Sequence, residues 1–240
     1  MPPVPDAVSA DAILADVGAR TLALLLWTDQ LADEDVRRPS ALPGWTQGHV
    51  LAHLADNADA FTEALQRGAD ADDAGAMYAS QASRDASIEA GAGRAVVAHR
   101  QALLQSAHRL AAAWRRLPGA RLTSTVSGTA GWTRPLADVP WMRWREVALH
   151  AVDLGRPAEF GAGDPLVGRL LDEVAASWAA RADVPGFDVV DVDRQRSWRV
   201  GDGGVRVEGA TGDLALWLTG RASGAALTVS GELPTLPPWL

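Results

Sequence analysis

The sequence contains no cysteine and no lysine. Without cysteine the chain has no disulfide, no thiolate metal ligand and no thiol nucleophile, so any sulfur chemistry must be brought by a bound small molecule. Without lysine there is no amine for a Schiff base, and all 22 basic residues are arginine. Long apolar runs are also missing. The longest near the N-terminus, Leu22 to Trp27, is far below a membrane-spanning length, and no basic segment leads into an apolar core. A cytoplasmic location is therefore expected. A formal net charge of -8 has the wrong sign for a nucleic-acid or anionic-membrane surface. Also absent are His-Glu-x-x-His, Gly-x-Ser-x-Gly and a phosphate-cradling glycine loop, which removes the commonest hydrolase and nucleotide templates.

What is present is ample apolar material, 48% of 240 residues, enough for one large domain or two modest ones. From Ser9 onward Leu14, Val17, Thr21, Leu24, Leu25, Thr28 and Leu31 recur at helical spacing, predicting a helix of roughly five to six turns. Thr46 caps a second helix whose inward stripe is Val50, Leu51, Leu54, Ala58, Phe61 and Leu65, with His53 beside it. Gly68 to about Gly93 is polar, small and acidic and reads as a long functional loop. A third helix runs from Arg94 to Trp114, with Val97, Leu104, Ala111 and Trp114 on one face. After a Thr, Ser and Gly-rich connection, Arg121 to Pro135, a fourth helix occupies 140–155. Asp138 is its expected N-cap, Pro140 suits its first turn and Gly155 ends it. Together the four predict an antiparallel bundle.

Composition shifts after Gly155. Asp164-Pro165 caps a helix reaching Trp178, and short strands follow at 187–192, 197–200 and 205–208. A short helix opens at Thr211, and one more strand is expected at 226–230. The fold class is therefore α+β: a helical bundle over 1–157 and a small α+β domain over 158–240.

Glu146 and His150 share one face of the fourth helix, and a carboxylate with an imidazole at that spacing can grip one metal ion. Zinc needs at least a third protein ligand, with a further position open for water or substrate. From spacing alone the pair could equally be a helix-surface ion pair, and His53 a core histidine. His49 lies four residues before His53 but also three after the cap Thr46, where a polar side chain has local reasons to be. His99 and His108 have no partner at helical spacing and read as ordinary helix residues.

Gly44-Trp-Thr-Gln-Gly-His-Val-Leu-Ala-His-Leu54 and Arg145-Glu-Val-Ala-Leu-His-Ala-Val-Asp-Leu-Gly155 resemble the two signature helices of the mycothiol-dependent maleylpyruvate isomerases, zinc enzymes with a DinB-like bundle. The resemblance extends over almost the whole chain. It includes the loop Met77-Tyr78 with Arg84, Thr219-Gly-Arg221, and the ending from Thr228-Val-Ser-Gly-Glu-Leu-Pro to Pro-Pro-Trp-Leu240. It implies zinc on His53, Glu146 and His150, carboxylate-binding or catalytic arginines at Arg84 and Arg221, and contacts to the thiol cofactor mycothiol from Asp153 and Tyr78. Asp153 could also stand behind the ligands, and an ordinary polar residue at the helix C-terminus is an equal reading. The implied reaction is the cis to trans isomerisation of maleylpyruvate to fumarylpyruvate in gentisate-type aromatic catabolism. A thiolate adds to the conjugated double bond, the bond rotates, and the thiolate leaves. A thiol supplied from outside fits a chain without cysteine. A monomer is expected.

Two rivals stand beside this reading. One is a zinc-dependent mycothiol transferase or detoxification enzyme acting on another electrophile, since a fold does not fix a substrate. The other is a non-catalytic binding protein with structural zinc, which would normally show four protein ligands.

Overall fold

A computed structural model describes residues 8–239. The first seven residues of the N-terminal domain as delimited from sequence, and the final Leu240 of the ending motif, lie outside the described residues. Two compact units are present, Ser9–Pro157 and the chain from Ala158 onward.

In the first unit, helices α1 (Ala10–Thr28), α2 (Gln47–Gly68), α4 (Val96–Arg116) and α5 (Val139–Asp153) pack in a ring in which α1 and α2 each touch both α4 and α5. Ser9 caps α1 by accepting from the Ala12 N–H, and the helix buries Ile13, Val17, Thr21, Leu24, Leu25 and Thr28. α2 is the central element. Its stripe Val50, Leu51, Leu54, Ala58, Phe61 and Leu65 is almost wholly withdrawn from water. Each of its large apolar side chains contributes about 1.5–3 kcal/mol by that burial.

The segment expected to be one long loop is not one. It holds strand β1 (Asp73–Ala76) and helix α3 (Gln81–Ala92), which packs on α2. The helix start is local chemistry: Ser80 accepts from the Ser83 N–H while the Ser83 hydroxyl receives the Ser80 N–H. Close approach of α3 to α2 depends on Gly48, where a Cβ would run into the Ala92 carbonyl oxygen. The connection after α4 is likewise structured. It supplies β2 (Thr125–Ser127), parallel to β1, and β3 (Thr133–Pro135), antiparallel to β2.

α4 turns a different face inward from the one predicted. Val97 and Leu104 are 61% and 43% exposed, while Val96, His99, Leu103, Ser106 and Leu110 are buried. The rows Val96-Leu103-Leu110 and Val97-Leu104-Ala111 have the same period and differ by one residue, or about 100° around the helix. His99 and Ser106 interrupt the true row with polar side chains, so the sequence favoured the wrong one.

α5 ends as its glycine requires. Gly155 has φ +79°, its N–H bonds the Val152 carbonyl and the Arg156 N–H bonds that of Ala151, the paired pattern of a left-handed glycine stop. Asp138 precedes α5 but makes no side-chain cap bond to it.

The second unit carries α6 (Pro165–Ala179), capped by Asp164 on the Leu166 N–H, and α7 (Thr211–Leu218). Its sheet has the order β5-β4-β6-β7, with β4 (Phe187–Asp191) antiparallel to β5 (Arg196–Val200) and parallel to β6 (Val205–Gly209). The last strand, β7 (Thr228–Val229), is shorter than expected and pairs antiparallel with β6. The helices pack on each other and on the sheet, and the Trp178 indole N–H reaches the Leu218 carbonyl at 3.0 Å. The whole is α+β. Among the described residues no helix is long and apolar enough to cross a membrane.

Candidate metal centre

Two helices of the first unit meet at a cluster of ionisable groups. α2 brings His53 and α5 brings Glu146 and His150, one turn apart on the same face. The His53 Nε2 lies 2.8 Å from the Glu146 Oε2, and the His150 Nε2 lies 3.3 Å from the same oxygen. The imidazole rings stand nearly perpendicular, at 87°, with centroids 4.8 Å apart. One donor atom from each of the three residues falls within 4.8 Å of the others. Two imidazoles and one carboxylate are a donor set that zinc accepts in catalytic sites, where it keeps a fourth position open. The residues present therefore fit the ion.

The protons are arranged around Glu146. Burial alone would raise its pKa, but hydrogen bonds from His150 and His53 outweigh burial and hold it well below the usual carboxylate range. His53 is lowered to about 4 by burial, only partly offset by Glu146, and is neutral near pH 7. Arg84, which can only donate, places an NH2 group 3.3 Å from the His53 Nδ1. That contact puts the His53 proton on Nε2, toward Glu146. If His53 held a metal through the nitrogen that faces Glu146, its proton would move to the other ring nitrogen and Arg84 would turn from the ring.

His150 is raised: burial would lower it, but hydrogen bonds to Asp153 and Glu146 outweigh burial. Its Nδ1 is 2.8 Å from the Asp153 Oδ2, and Asp153 is buried at the end of the same helix. A carboxylate there fixes the ring so that Nε2 faces the cluster. A metal must displace the His150 proton, so zinc affinity should rise up to ~10-fold per pH unit through the imidazole range and level off above the raised pKa. Competition titrations against a chelator at stepped pH read this directly. Affinity independent of pH would contradict it.

His49 has other business. Its Nδ1 receives the Thr46 N–H at 3.2 Å and its Nε2 meets Glu89 at 3.0 Å, so it completes the cap of α2 and does not join the cluster. Arg84 lies on α3, not in a loop, with its guanidinium carbon 5.9 Å from the rings of both Trp45 and Tyr78. Trp45 also meets the His53 ring edge-on at 5.6 Å. Arg221 belongs to the second unit. It follows Gly220, whose φ of +76° ends α7, and its NH1 donates to the Thr219 carbonyl at 2.9 Å.

Two neighbours escaped the sequence reading. Trp45 sits inside a quoted motif but has no ionisable group to draw attention. Arg143 is 1% exposed and donates from NH1 to the Leu54 carbonyl and to the Asn57 Oδ1, both at 2.8 Å, tying α5 to α2 behind the cluster. Burial lowers its pKa to about 10, which still leaves it cationic at neutral pH. Its only signal was three-residue spacing from Glu146.

Residues 17–155 match the family description "Mycothiol maleylpyruvate isomerase N-terminal domain", and 165–238 match its C-terminal domain. The chain belongs to the mycothiol maleylpyruvate isomerase family. A crystal structure of a mycothiol-dependent maleylpyruvate isomerase superposes with a TM-score of 0.86 at 27% identity, covering 97% of this chain and 98% of that one. A histidine-to-alanine mutant of a mycothiol-dependent maleylpyruvate isomerase gives the same values. No curated protein matches in sequence. Family membership makes the chain an enzyme, and within the family fold His53, Glu146 and His150 form the one group of three or more metal-capable side chains found among the described residues.

Proposed function

We propose that this enzyme converts maleylpyruvate to fumarylpyruvate with zinc and mycothiol, in the cytoplasm, as a step of gentisate-type aromatic breakdown. One observation carries the reading: two imidazoles and a carboxylate converge in a fold of this family, in a chain that owns no cysteine. When bound, zinc favours the deprotonated form of a thiol, and mycothiol supplies the sulfur whose reversible addition lets the double bond rotate.

The residues divide the remaining work. His53, Glu146 and His150 would hold the ion, and Glu146 would supply the only negative charge among the ligands. Asp153 keeps His150 in the tautomer that presents Nε2. Arg84 and Arg221 are proposed to clamp the two carboxylates of the substrate, each by paired hydrogen bonds that a guanidinium makes and an ammonium does not. Trp45 walls the His53 side of the cluster.

Arg84→Ala and Arg221→Ala should each lower kcat/KM by ~10–100-fold with zinc content intact, the worth of a charged hydrogen bond. Arg221→Lys should recover part of that loss. Unchanged kinetics in either alanine variant would remove that arginine from the site.

The reaction is tested by supplying zinc-loaded enzyme with maleylpyruvate and mycothiol and following both fumarylpyruvate and free thiol. An isomerase forms product while the thiol is conserved. Thiol consumed in step with an electrophile, with no fumarylpyruvate formed, would establish the transferase reading instead.

A further inference from the structure

Tyr78 is the single tyrosine of the chain. Its hydroxyl oxygen is buried, and among the described residues no group hydrogen-bonds it. A buried hydroxyl without a partner weakens the fold, and such groups are rare where nothing else requires them. The side chain is firmly placed. Its neighbour Met77 is buried and bonds the Ser127 carbonyl through its N–H at 2.8 Å, and two residues further on Ser80 caps α3. The ring packs against the apolar core of the first unit on one side. On the other it faces the Arg84 guanidinium, 5.9 Å away, which in turn reaches the His53 Nδ1 at 3.3 Å. Tyr78 thus joins the core to the metal cluster, with an unused donor at its tip.

We propose that the Tyr78 hydroxyl is a catalytic residue, donating a hydrogen bond to the substrate oxygen on which negative charge develops when the double bond is opened. The proposal rests on the isomerase reading given above. In the addition step a carbon–sulfur bond forms, and the π electrons move through the conjugated system onto the keto oxygen as an enolate. In the reverse step those electrons return, the double bond re-forms and the thiolate departs. Tyr78 transfers no proton in either direction. It holds a donor where the enolate oxygen forms, which stabilises the charge only while it exists. Arg84 and the buried Arg143 lie in the same electrostatic neighbourhood and offset part of the repulsion that Glu146 and Asp56 exert on an anion there. Burial, reinforced by Glu146, pushes the phenol up to about 12, so it stays protonated as a donor throughout the working range.

The experiment is Tyr78→Phe, which removes one oxygen and keeps the ring. The expected result is a kcat lower by ~100-fold with little change in the KM for mycothiol or in zinc content. The Tm should be unchanged or raised, because the deleted group had no bond to lose in the free protein. A kcat within twofold of wild type overturns the proposal, as does a loss confined to the KM for maleylpyruvate, or an activity loss matched by lower Tm or zinc content. If wild-type enzyme fails to isomerise maleylpyruvate, the isomerase reading falls separately. Fumarate binding to the zinc-loaded protein then decides for Tyr78: weakening in Tyr78→Phe retains it as an anion donor, and equal binding rejects it.

Discussion

Glu146→Gln should emerge from purification with little or no zinc and with turnover reduced by at least ~1000-fold, since a bound metal contributes several kcal/mol of charge stabilisation. Glu146 is the only anionic member of the triad, and one of its oxygens contacts both imidazoles. An amide of the same shape offers a neutral and weaker ligand. It also removes the partner that, with Asp153, holds His150 above its ordinary pKa, so the metal-free site rearranges its protons as well. Folding should survive the change, because the Glu146 side chain keeps 25% of its exposure and α5 is fixed independently by Arg143. Metal analysis beside circular dichroism separates these outcomes. Full zinc occupancy in a well-folded Glu146→Gln protein would show that the ion is held elsewhere.

Leaving out mycothiol should reduce turnover of maleylpyruvate to the uncatalysed background. Rotation about the double bond requires a nucleophile that adds and then leaves, and the chain has neither a cysteine thiol nor a lysine amine to serve. The histidines at the cluster are not free substitutes, since His53 and His150 already engage Glu146, and His150 also engages Asp153. Zinc-loaded enzyme assayed with mycothiol, without it, and with a small simple thiol gives the answer. The simple thiol should restore only a fraction of the rate, because it brings the sulfur but none of the cofactor's binding surface. Full activity without any thiol would eliminate the addition mechanism and leave the His53, Glu146 and His150 cluster to be explained by other chemistry.

The uneven legibility of the chain has physical causes. α2 and α5 could be read because their large apolar residues lie on the buried face and their ends carry strong local signals, Thr46 at one and Gly155 at the other. α4 kept its length but hid its face, since a buried His99 and Ser106 look like surface residues in a pattern. α3 escaped because only Ile88, Gly91 and Ala92 are buried in it, too few to set up a period. β1, β2 and β3 have three or four residues each, shorter than an alternation needs to show itself. At the cluster, Glu146 and His150 announced each other by spacing. His53 is 93 residues away from Glu146, and only folding or family resemblance joins it to them. Arg143 and Trp45 bear on the site through a carbonyl contact and a ring face, interactions with no sequence spacing at all.

α3 has so little buried surface that it need not open with the rest of the bundle. Its amides should exchange with solvent deuterium well before those of α2, whose inward row is sealed. Because Arg84 rides on α3 while the three metal-capable side chains ride on α2 and α5, a local opening can uncover the site and carry an arginine away from it without disturbing the ligands. Molecules can then come and go on the clock of one small helix while α2 and α5 stay in place.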